Sequence, residues 1–267
     1  MDKTLLLIVT GSGKEYWSEH ERMELFRPED GIDVGICFWG EKDYSDKFWK
    51  SAKYILKQKG NKFHLIRDFF KKYKSTINQY KRFLIMDDDI YMSRENILKF
   101  IETFDYFDFD LACPGFVMEP GDSKFRRKKG GIFRTLNTID VGAFLMTSRA
   151  FKASLPIFND SPYGHGWGIP EWWQQKYHHK EGRSIHGGRI GCIDASPAEH
   201  TRVQGSQKDA LATEFESPYK ERKFYVQKYM DGKLPGGTWW MAMRQYEVLT
   251  VEKLQNAIVN LRERSNV

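Results

Sequence analysis

Three consecutive carboxylates, Asp87, Asp88 and Asp89, directly follow a short apolar segment in the stretch KRFLIMDDDIYMS at residues 81–93. Like charges held this close together resist ionising, so the run costs stability unless a cation offsets it. Carboxylate oxygens suit Mg²⁺ and Mn²⁺, and such ions commonly bridge protein carboxylates to substrate phosphates. Asp87 and Asp89 are therefore predicted to bind Mn²⁺ or Mg²⁺ together with the diphosphate of a nucleotide-sugar. A polar turn with aspartate caps is the alternative interpretation.

A second group of candidate residues lies in the stretch NDSPYGHGWGIPEWW at residues 159–173. Its closely spaced glycines permit close approach of the backbone to a ligand. Its tryptophans offer apolar faces on which a sugar ring can pack, and a nearby carboxylate can remove the proton from an acceptor hydroxyl. A glycine- and tryptophan-rich turn that serves packing alone is the alternative. Glu171 is the first candidate for the base and Asp160 the second, with acceptor-binding side chains at His165, Trp167 and Trp172.

A third group belongs to the stretch RIGCIDASPAEHTRVQGS at residues 189–206. A predicted strand leads into Asp194, and His200 and Arg202 follow it in a predicted turn. Because a neutral imidazole is a suitable Mn²⁺ ligand, His200 is predicted to complete the metal site. Arg202 is a candidate for bidentate contact with the leaving diphosphate. A packed or solvated histidine is the alternative for His200, and the adjacent pair at 178–179 has a more exposed character.

Apolar periodicity predicts strands that alternate with helices along the chain. This alternation predicts an α/β fold with a mostly parallel sheet flanked by helices, followed by a helical C-terminal extension. Ligands of such sheets bind at the carboxyl ends of the strands, which is where the aspartates and the pair Thr10 and Gly11 lie. Strands are predicted at 5–9, 33–39, 82–86, 111–113, 141–147 and 189–193, and helices at 62–80, after Ser93, from Ser217 to Met230, and after Thr250.

The overall charge favours anionic partners. The formal net charge is +6 and the sequence pI is about 9.0, a balance typical of proteins that bind nucleotides, phospholipid head groups or nucleic acids. No helix-turn-helix, zinc-finger or RNP-type pattern is present in the sequence, so we predict no nucleic-acid partner. A basic cluster at Lys124 and residues 126–129 is either a solvated loop or a contact for an anionic polysaccharide or lipid-linked acceptor.

The cysteines and the longest apolar runs bear on the compartment. Cys37, Cys113 and Cys192 lie in apolar segments without a CxxC pair, which argues against a disulfide framework and a cysteine-based zinc site. The opening apolar run is too short for a signal peptide, and no run approaches the roughly 20 residues of a membrane span. We therefore expect a cytoplasmic protein without a transmembrane segment, and peripheral association with a membrane stays open.

The segments DDDI, HGWGIP and IGCIDASPAEHTRVQG, taken in this order, resemble an uncharacterised family known as domain of unknown function 707. The stretches KGNKFHLIRDFF and NTIDVGAFLMTSRAF are similar to the same pattern, so the resemblance covers residues 30–210. The family is regarded as glycosyltransferases of the GT-A type, with a Rossmann-like sheet and a D-x-D metal motif. Pro170 departs from the family, which usually has aspartate at this position, and this departure moves the acidic role to Glu171.

The resemblance implies a GT-A-like catalytic domain at residues 1–210 and a helical extension at residues 211–267 packed on the same domain. It implies a metal-dependent glycosyltransferase that moves a sugar from a nucleotide-sugar donor to a saccharide or glycan acceptor, with inversion as the expectation from a single base. In such an enzyme, the metal ligands would be Asp87, Asp89 and His200. The nucleotide-sugar donor would contact Thr10, Gly11, Asp87, Asp88 and Arg202.

Two other functions remain open at this point. A catalytically inert module that binds a sugar or nucleotide could have the same fold, because fold does not imply function. A phosphatase of the haloacid dehalogenase type also has a D-x-D motif after an apolar strand. In that class, however, the motif normally opens the domain, whereas here it begins at Asp87.

Overall fold

The structure is a computed structural model that describes residues 2–11, 28–41, 49–117, 125–201, 218–229 and 245–256. These segments form a mixed sheet of 12 strands. The strands are β1 (Thr4–Thr10), β2 (Ile32–Phe38), β3 (Tyr54–Lys57), β4 (Arg82–Asp87), β5 (Ile90–Tyr91), β6 (Phe109–Phe116), β7 (Gly131–Leu136), β8 (Ala143–Thr147), β9 (His178–Lys180), β10 (Arg183–Ser184), β11 (Arg189–His200) and β12 (Gln245–Thr250).

The main path of the sheet has the order β12-β7-β11-β6-β8-β4-β1-β2-β3. Strands β4, β1, β2 and β3 are parallel neighbours, as are β6 and β11. Strand β8 runs antiparallel to both β4 and β6, and β7 runs antiparallel to both β11 and β12. In the register of β4 with β1, Asp87 is opposite Val9. The carboxyl ends of these two strands therefore lie side by side, as the sequence predicted.

Helices cover both faces of this sheet. They are α1 (Lys62–Lys72), α2 (Arg94–Tyr106), α3 (Ser148–Asn159), α4 (Ile169–Trp172) and α5 (Pro218–Tyr229). Helix α4 continues into a π-helical turn at Trp173–Tyr177, and 3₁₀ turns occupy Pro28–Asp30 and Lys74–Gln79. Among the described residues, no helix combines the length and the apolar composition needed to cross a bilayer.

Two apolar cores hold the helices against the central strands. Successive strand residues point to opposite faces, so Phe83 and Ile85 pack in one core with α1 and α3, while Leu84 and Met86 pack in the other with α2. Each side chain of this size contributes about 1.5–3 kcal/mol when fully buried. This packing, rather than local helix propensity, fixes where the strand ends lie.

The structure refines several predicted boundaries. The helix predicted at 62–80 is α-helical to Lys72 and then tightens into 3₁₀ geometry. Ser93 caps α2 as predicted, since its Oγ accepts from the N–H of Asn96 at 3.2 Å. Thr250 likewise caps a helical segment at 251–256, accepting from the N–H of Lys253.

The segment predicted as a helical C-terminal extension also contains a strand. Helix α5 confirms the helix predicted from Ser217 to Met230 over the described residues Pro218–Tyr229. Strand β12 was not predicted, and it pairs antiparallel with β7 at the edge of the sheet. The pairing partner of a short polar strand such as QYEVLT lies far away in the sequence, so local periodicity does not reveal it.

Candidate active site

The central aspartate of the run, Asp88, joins the carboxyl ends of two strands. Its Oδ2 accepts a 3.0 Å hydrogen bond from the N–H of Gly11 and faces the hydroxyl of Thr10 at 3.5 Å. Only 8% of Asp88 is exposed. A Cβ at position 11 would lie 2.1 Å from the ring of Trp39, so glycine is required by close packing there. The structure thus brings together Thr10, Gly11 and Asp88, three of the five residues predicted to bind the donor.

The first aspartate of the run, Asp87, is paired with a lysine that the sequence analysis missed. Nζ of Lys62, the first residue of α1, lies 2.8 Å from Oδ1 of Asp87. Burial raises the pKa of Asp87 to about 7, although the Lys62 ammonium acts to lower it; the charge of Asp89 raises it further. This carboxylate therefore lies in surroundings that favour a cation as neighbour.

The third aspartate of the run, Asp89, meets His200 from the far end of β11. Strand β5 pairs antiparallel with the last residues of β11, which places His200 opposite Ile90. The N–H and the hydroxyl of Thr201 both donate to the backbone carbonyl of Asp89, at 2.8 and 2.9 Å. Nε2 of His200 lies 3.7 Å from Oδ2 of Asp89 as a result.

A further carboxylate, Asp140, lies at the same edge of the sheet. It precedes β8, and its Oδ1 accepts from the N–H of Gly142 at 2.6 Å. Burial raises the pKa of Asp140, while the Gly142 hydrogen bond and the nearby Lys62 and His200 act to lower it. In the sequence, Asp140 stands out only as part of the stretch NTIDVGAFLMTSRAF, which is similar to the family pattern. Asp140 comes close to the aspartates because β8, which follows it, pairs antiparallel with β4. The sequence alone does not reveal this pairing.

We refer to Asp87, Asp88, Asp89, Asp140 and His200 as the aspartate cluster. Their side chains have the donor chemistry for a divalent cation. Two ligands that are each about 2.1 Å from one ion lie roughly 3–4 Å apart, and the 3.7 Å between Asp89 and His200 falls in this range. In the described part of the chain, no three His, Cys, Asp or Glu side chains converge closely enough to enclose an ion. Mg²⁺ usually binds through one or two carboxylates plus phosphates and water, so an open site of this kind fits it.

The glycine- and tryptophan-rich segment forms a loop that a second missed residue holds in place. Glu221 of α5 is fully buried, and its carboxylate accepts from the hydroxyl of Ser161 at 2.5 Å and from the N–H groups of Gly164 and Trp167 at 2.8 and 3.1 Å. We refer to residues 161–167 as the acceptor loop, after the role predicted for this segment from the sequence. Its shape therefore depends on a helix that follows it by about fifty residues in the chain.

The acceptor loop also contacts the beginning of α1, next to the aspartates. The N–H of Phe63 donates to the carbonyl of Gly164 at 2.9 Å, and Nδ2 of Asn61 donates to the carbonyl of Tyr163 at 2.6 Å. Gly166 has a φ of +85° and packs against the ring of Phe63. Since Lys62 lies between these two contacts, the acceptor loop and the aspartate cluster are adjacent.

The predicted acceptor-side residues differ in exposure. Glu171 is buried on α4 and lies 2.6 Å from Nε of Arg222 on α5. Asp160 is at the surface, where it pairs with Lys228 at 2.9 Å and with the hydroxyl of Tyr229. The hydrogen bond from Tyr229 and the pair with Lys228 lower the pKa of Asp160.

The aromatic side chains of this region are similarly divided. Trp167 is 38% exposed, and His165 is half-buried. Trp172 is half-buried and packs against the core. Trp173 is fully buried and donates from Nε1 to Oγ of Ser154 at 2.9 Å, so its ring serves packing.

A cavity of about 350 Å³ opens beside the end of β1. The N–H of Trp39 donates to the carbonyl of Thr10 at 3.0 Å, and a Cβ on Gly40 would lie 2.6 Å from the carbonyl oxygen of Gly11. The cavity is therefore next to the residues that contact Asp88. Its lining residues are Phe38, Trp39, Gly40, Glu41, Lys57, Gln58 and Lys59.

Other singled-out residues lie away from this edge or outside the described segments. Asp194 is fully buried, and Arg134 binds it with two hydrogen bonds of 2.8 and 3.0 Å. It is therefore part of a structural ion pair. His178 stacks on Tyr246 of β12. Arg202 and Lys124 lie outside the described residues.

Comparison with known proteins supports the fold. No protein-family model matches the sequence, and no curated protein matches it. Solved structures do match. Residues 1–349 of S. aureus TarS, in complex with UDP-GlcNAc, superpose with a TM-score of 0.54 at 12% identity, over 84% of this chain and 64% of that chain. GalNAc-T7 with UDP, GalNAc and Mn²⁺ gives a TM-score of 0.50 at 11% identity, over 86% of this chain and 48% of that chain.

The chain thus has the α/β fold of GT-A glycosyltransferases, which confirms the predicted fold class. It spans less than two thirds of the length of either of these two structures. The GT-A part of the resemblance seen in the sequence agrees with these structures. Membership of the specific family stays a prediction, since no family model matches.

Proposed function

We propose that this protein is a metal-dependent glycosyltransferase that moves a sugar from a nucleotide-sugar donor to a saccharide or glycan acceptor. One observation carries the proposal. On a GT-A fold, the carboxylates that end β4 meet His200 from β11, with Asp89 and His200 3.7 Å apart. Ligands of open α/β sheets bind at this edge. Of the structures that match, TarS contains UDP-GlcNAc, and GalNAc-T7 contains UDP, GalNAc and Mn²⁺.

On the donor side, Asp87, Asp89 and His200 would hold Mn²⁺ or Mg²⁺. A divalent ion bound there supplies positive charge that offsets the departing nucleoside diphosphate. Asp88 keeps the ends of β1 and β4 together through Gly11, and Thr10 and Gly11 face the nucleotide. The adjacent cavity, which contains Trp39, offers an aromatic surface for the nucleoside. Arg202 is the proposed contact for the diphosphate.

On the acceptor side, Glu171 would take the proton of the acceptor hydroxyl as its oxygen attacks the anomeric carbon. The bond from that carbon to the diphosphate breaks, and its electron pair leaves with the diphosphate. A single displacement of this kind inverts the anomeric configuration. Because 7% of the Glu171 side chain is exposed, the acceptor must reach a nearly enclosed carboxylate. His165 and Trp172 would line the same side, and Asp160 is the second candidate for the base.

The donor site is tested by calorimetric binding of UDP, GDP, CMP and dTDP, each with Mn²⁺ and with EDTA. We expect one nucleotide to bind in a metal-dependent way, and the double variant Asp87→Ala/Asp89→Ala to lose that binding. Glu102→Ala is the matched control, because Glu102 is an exposed carboxylate on α2. Binding that is equal with Mn²⁺ and EDTA, or that survives the double substitution, would refute the metal site.

The role of His200 is tested separately by Mn²⁺ binding in the presence of the nucleotide. Loss of a metal ligand weakens binding by about tenfold or more, so His200→Ala should show at least this loss. His179→Ala is the control, since His179 is exposed on β9. Equal Mn²⁺ affinity in wild type and His200→Ala would remove His200 from the site.

The acceptor chemistry is tested by Glu171→Gln. This variant should abolish sugar transfer while the nucleotide still binds. If transfer continues at the wild-type rate, Glu171 is not the base, and Asp160→Asn becomes the next variant to assay.

The pairing of Glu171 with Arg222 favours a second candidate function. A carboxylate held 2.6 Å from a guanidinium in a buried place can serve structure alone. The protein would then bind a sugar or nucleotide without turnover, as a catalytically inert module on the same fold. Nucleotide binding without transfer, unchanged in Glu171→Gln, is the result that would favour this function.

A further inference from the structure

Lys62 places its ammonium group inside the aspartate cluster. Nζ lies 2.8 Å from Oδ1 of Asp87, donates to the carbonyl of Val141, and lies 3.4 Å from the carbonyl oxygen of Gly142. The side chain is 12% exposed. An ammonium removed from water in this way needs anionic or carbonyl partners. The anionic partner that it uses is Asp87, one of the proposed metal ligands.

This arrangement creates competition between two cations. An ammonium and a divalent ion at the same carboxylate repel each other. The ammonium of Lys62 is paired with Asp87 in the structure, so a divalent ion that binds Asp87 without a nucleotide must compete with it. The displaced ammonium would leave the Asp87 carboxylate and the carbonyls of Val141 and Gly142, and Asp140 would be the nearby carboxylate left to it.

A nucleoside diphosphate changes this balance. It brings additional negative charge to the same edge of the sheet, so the divalent ion and the ammonium no longer compete for one anion. Lysine is a flexible point charge that binds phosphate oxygens well. Lys62 is also placed for this role by its neighbours, since Asn61 and Phe63 on either side of it contact the acceptor loop. Its ammonium therefore lies between the donor and acceptor sides.

We propose that Lys62 is an internal counter-ion of Asp87 that yields to the divalent ion when a nucleoside diphosphate binds and then contacts that diphosphate. This inference rests on the proposed function and adds an order of binding to it. The metal and the nucleotide enter together, and the metal alone binds weakly. Lys62 is thus a binding residue for the diphosphate as well as a barrier to metal in its absence.

The test compares wild type with Lys62→Met in two titrations. Free Mn²⁺ is measured by electron paramagnetic resonance without nucleotide, and UDP binding is measured by calorimetry at saturating Mn²⁺. We expect Lys62→Met to bind Mn²⁺ alone about tenfold more tightly, because the competing cation is gone, and UDP about tenfold more weakly, because a charged contact is lost. Lys62→Gln is the second variant, with a polar end that can still donate to Val141.

Lys71→Met is the matched control. Lys71 is on the same helix, is 66% exposed and lies 3.9 Å from Asp68, so both affinities should stay at the wild-type values. A loss of folding in Lys62→Met would lower both affinities together, whereas the proposal requires them to move in opposite directions.

The possible outcomes separate this inference from the proposed function. If wild type binds Mn²⁺ with UDP, but Mn²⁺ alone binds the two Lys62 variants no more tightly, the assignment to Lys62 is wrong and the metal site stands. If Mn²⁺ binds neither wild type nor the variants, alone or with any of UDP, GDP, CMP and dTDP, both are wrong. If Mn²⁺ binds alone only after Lys62 is replaced, the counter-ion role is supported.

Discussion

Replacing Glu221 with glutamine should release the acceptor loop from α5. In the native protein one carboxylate oxygen accepts from Ser161 and Gly164, and the other accepts from the N–H of Trp167 at 3.1 Å. A glutamine amide has nearly the same shape but a single acceptor oxygen. If that oxygen faces Ser161, the NH₂ group faces the N–H of Trp167, and two donors are left opposite each other.

The magnitude follows from which donor loses its partner. The N–H of Gly164 also lies 2.8 Å from Oγ of Ser161, so it keeps an acceptor. The N–H of Trp167 loses its bond to a charged group, a loss of about 1.5–3 kcal/mol. We expect Glu221→Gln to lower the free energy of unfolding by about 2 kcal/mol and the Tm by roughly 4–8 °C. Glu221→Ala, which also leaves a cavity, should lower the free energy of unfolding by about 3–4 kcal/mol.

Thermal unfolding and amide hydrogen exchange together test this expectation. Exchange at Trp167 should become faster in Glu221→Gln, since its N–H is no longer bonded to the carboxylate. Glu102→Gln, a change of the same kind at an exposed site on α2, should leave both measurements unchanged. A Glu221→Gln protein that melts with the wild type and keeps slow exchange at Trp167 would refute the anchoring role of Glu221.

Two further predictions concern packing and a buried charge. Gly166→Ala should lower the free energy of unfolding by about 2–4 kcal/mol, since its Cβ would lie 2.0 Å from a phenylalanine ring. Gly130 is also at positive φ but has nothing within 4 Å of such a Cβ, so Gly130→Ala should lower it by only about 1 kcal/mol. Equal losses for the two variants in urea unfolding would contradict this. Arg134→Met leaves the carboxylate of Asp194 buried without its guanidinium partner. It should lower the free energy of unfolding by about 3–5 kcal/mol in the same urea experiment. A variant as stable as wild type would show that the ion pair contributes little to stability.

The segment around β4 shows how much of the site local sequence predicts. The apolar residues before Asp87 predicted a buried strand, and the rule that ligands bind at carboxyl ends placed Thr10 and Gly11 beside the aspartates. The register of β1 with β4 and the hydrogen bond from Gly11 to Asp88 agree with that placement. The cap at Ser93 was equally predictable, because a capping serine and its helix are neighbours in the chain.

The partners of those aspartates could not be predicted in the same way. Lys62 is at the start of α1 and Asp140 is next to β8, and each reaches the aspartates because α1 packs on β4 and β8 pairs with it. Glu221 reaches the acceptor loop from α5. The polar sequence of α5 predicts neither the burial of Glu221 nor the three groups that donate hydrogen bonds to its carboxylate.

The sequence by itself determined the α/β class, the strand that presents the aspartates, and the chemical types of the candidate residues. These properties depend on residues that are neighbours in the chain, and periodicity and capping report them directly. The tertiary structure decided which charges meet, including Lys62 with Asp87 and His200 with Asp89. These contacts depend on the order in which the strands pair, and long-range packing sets that order.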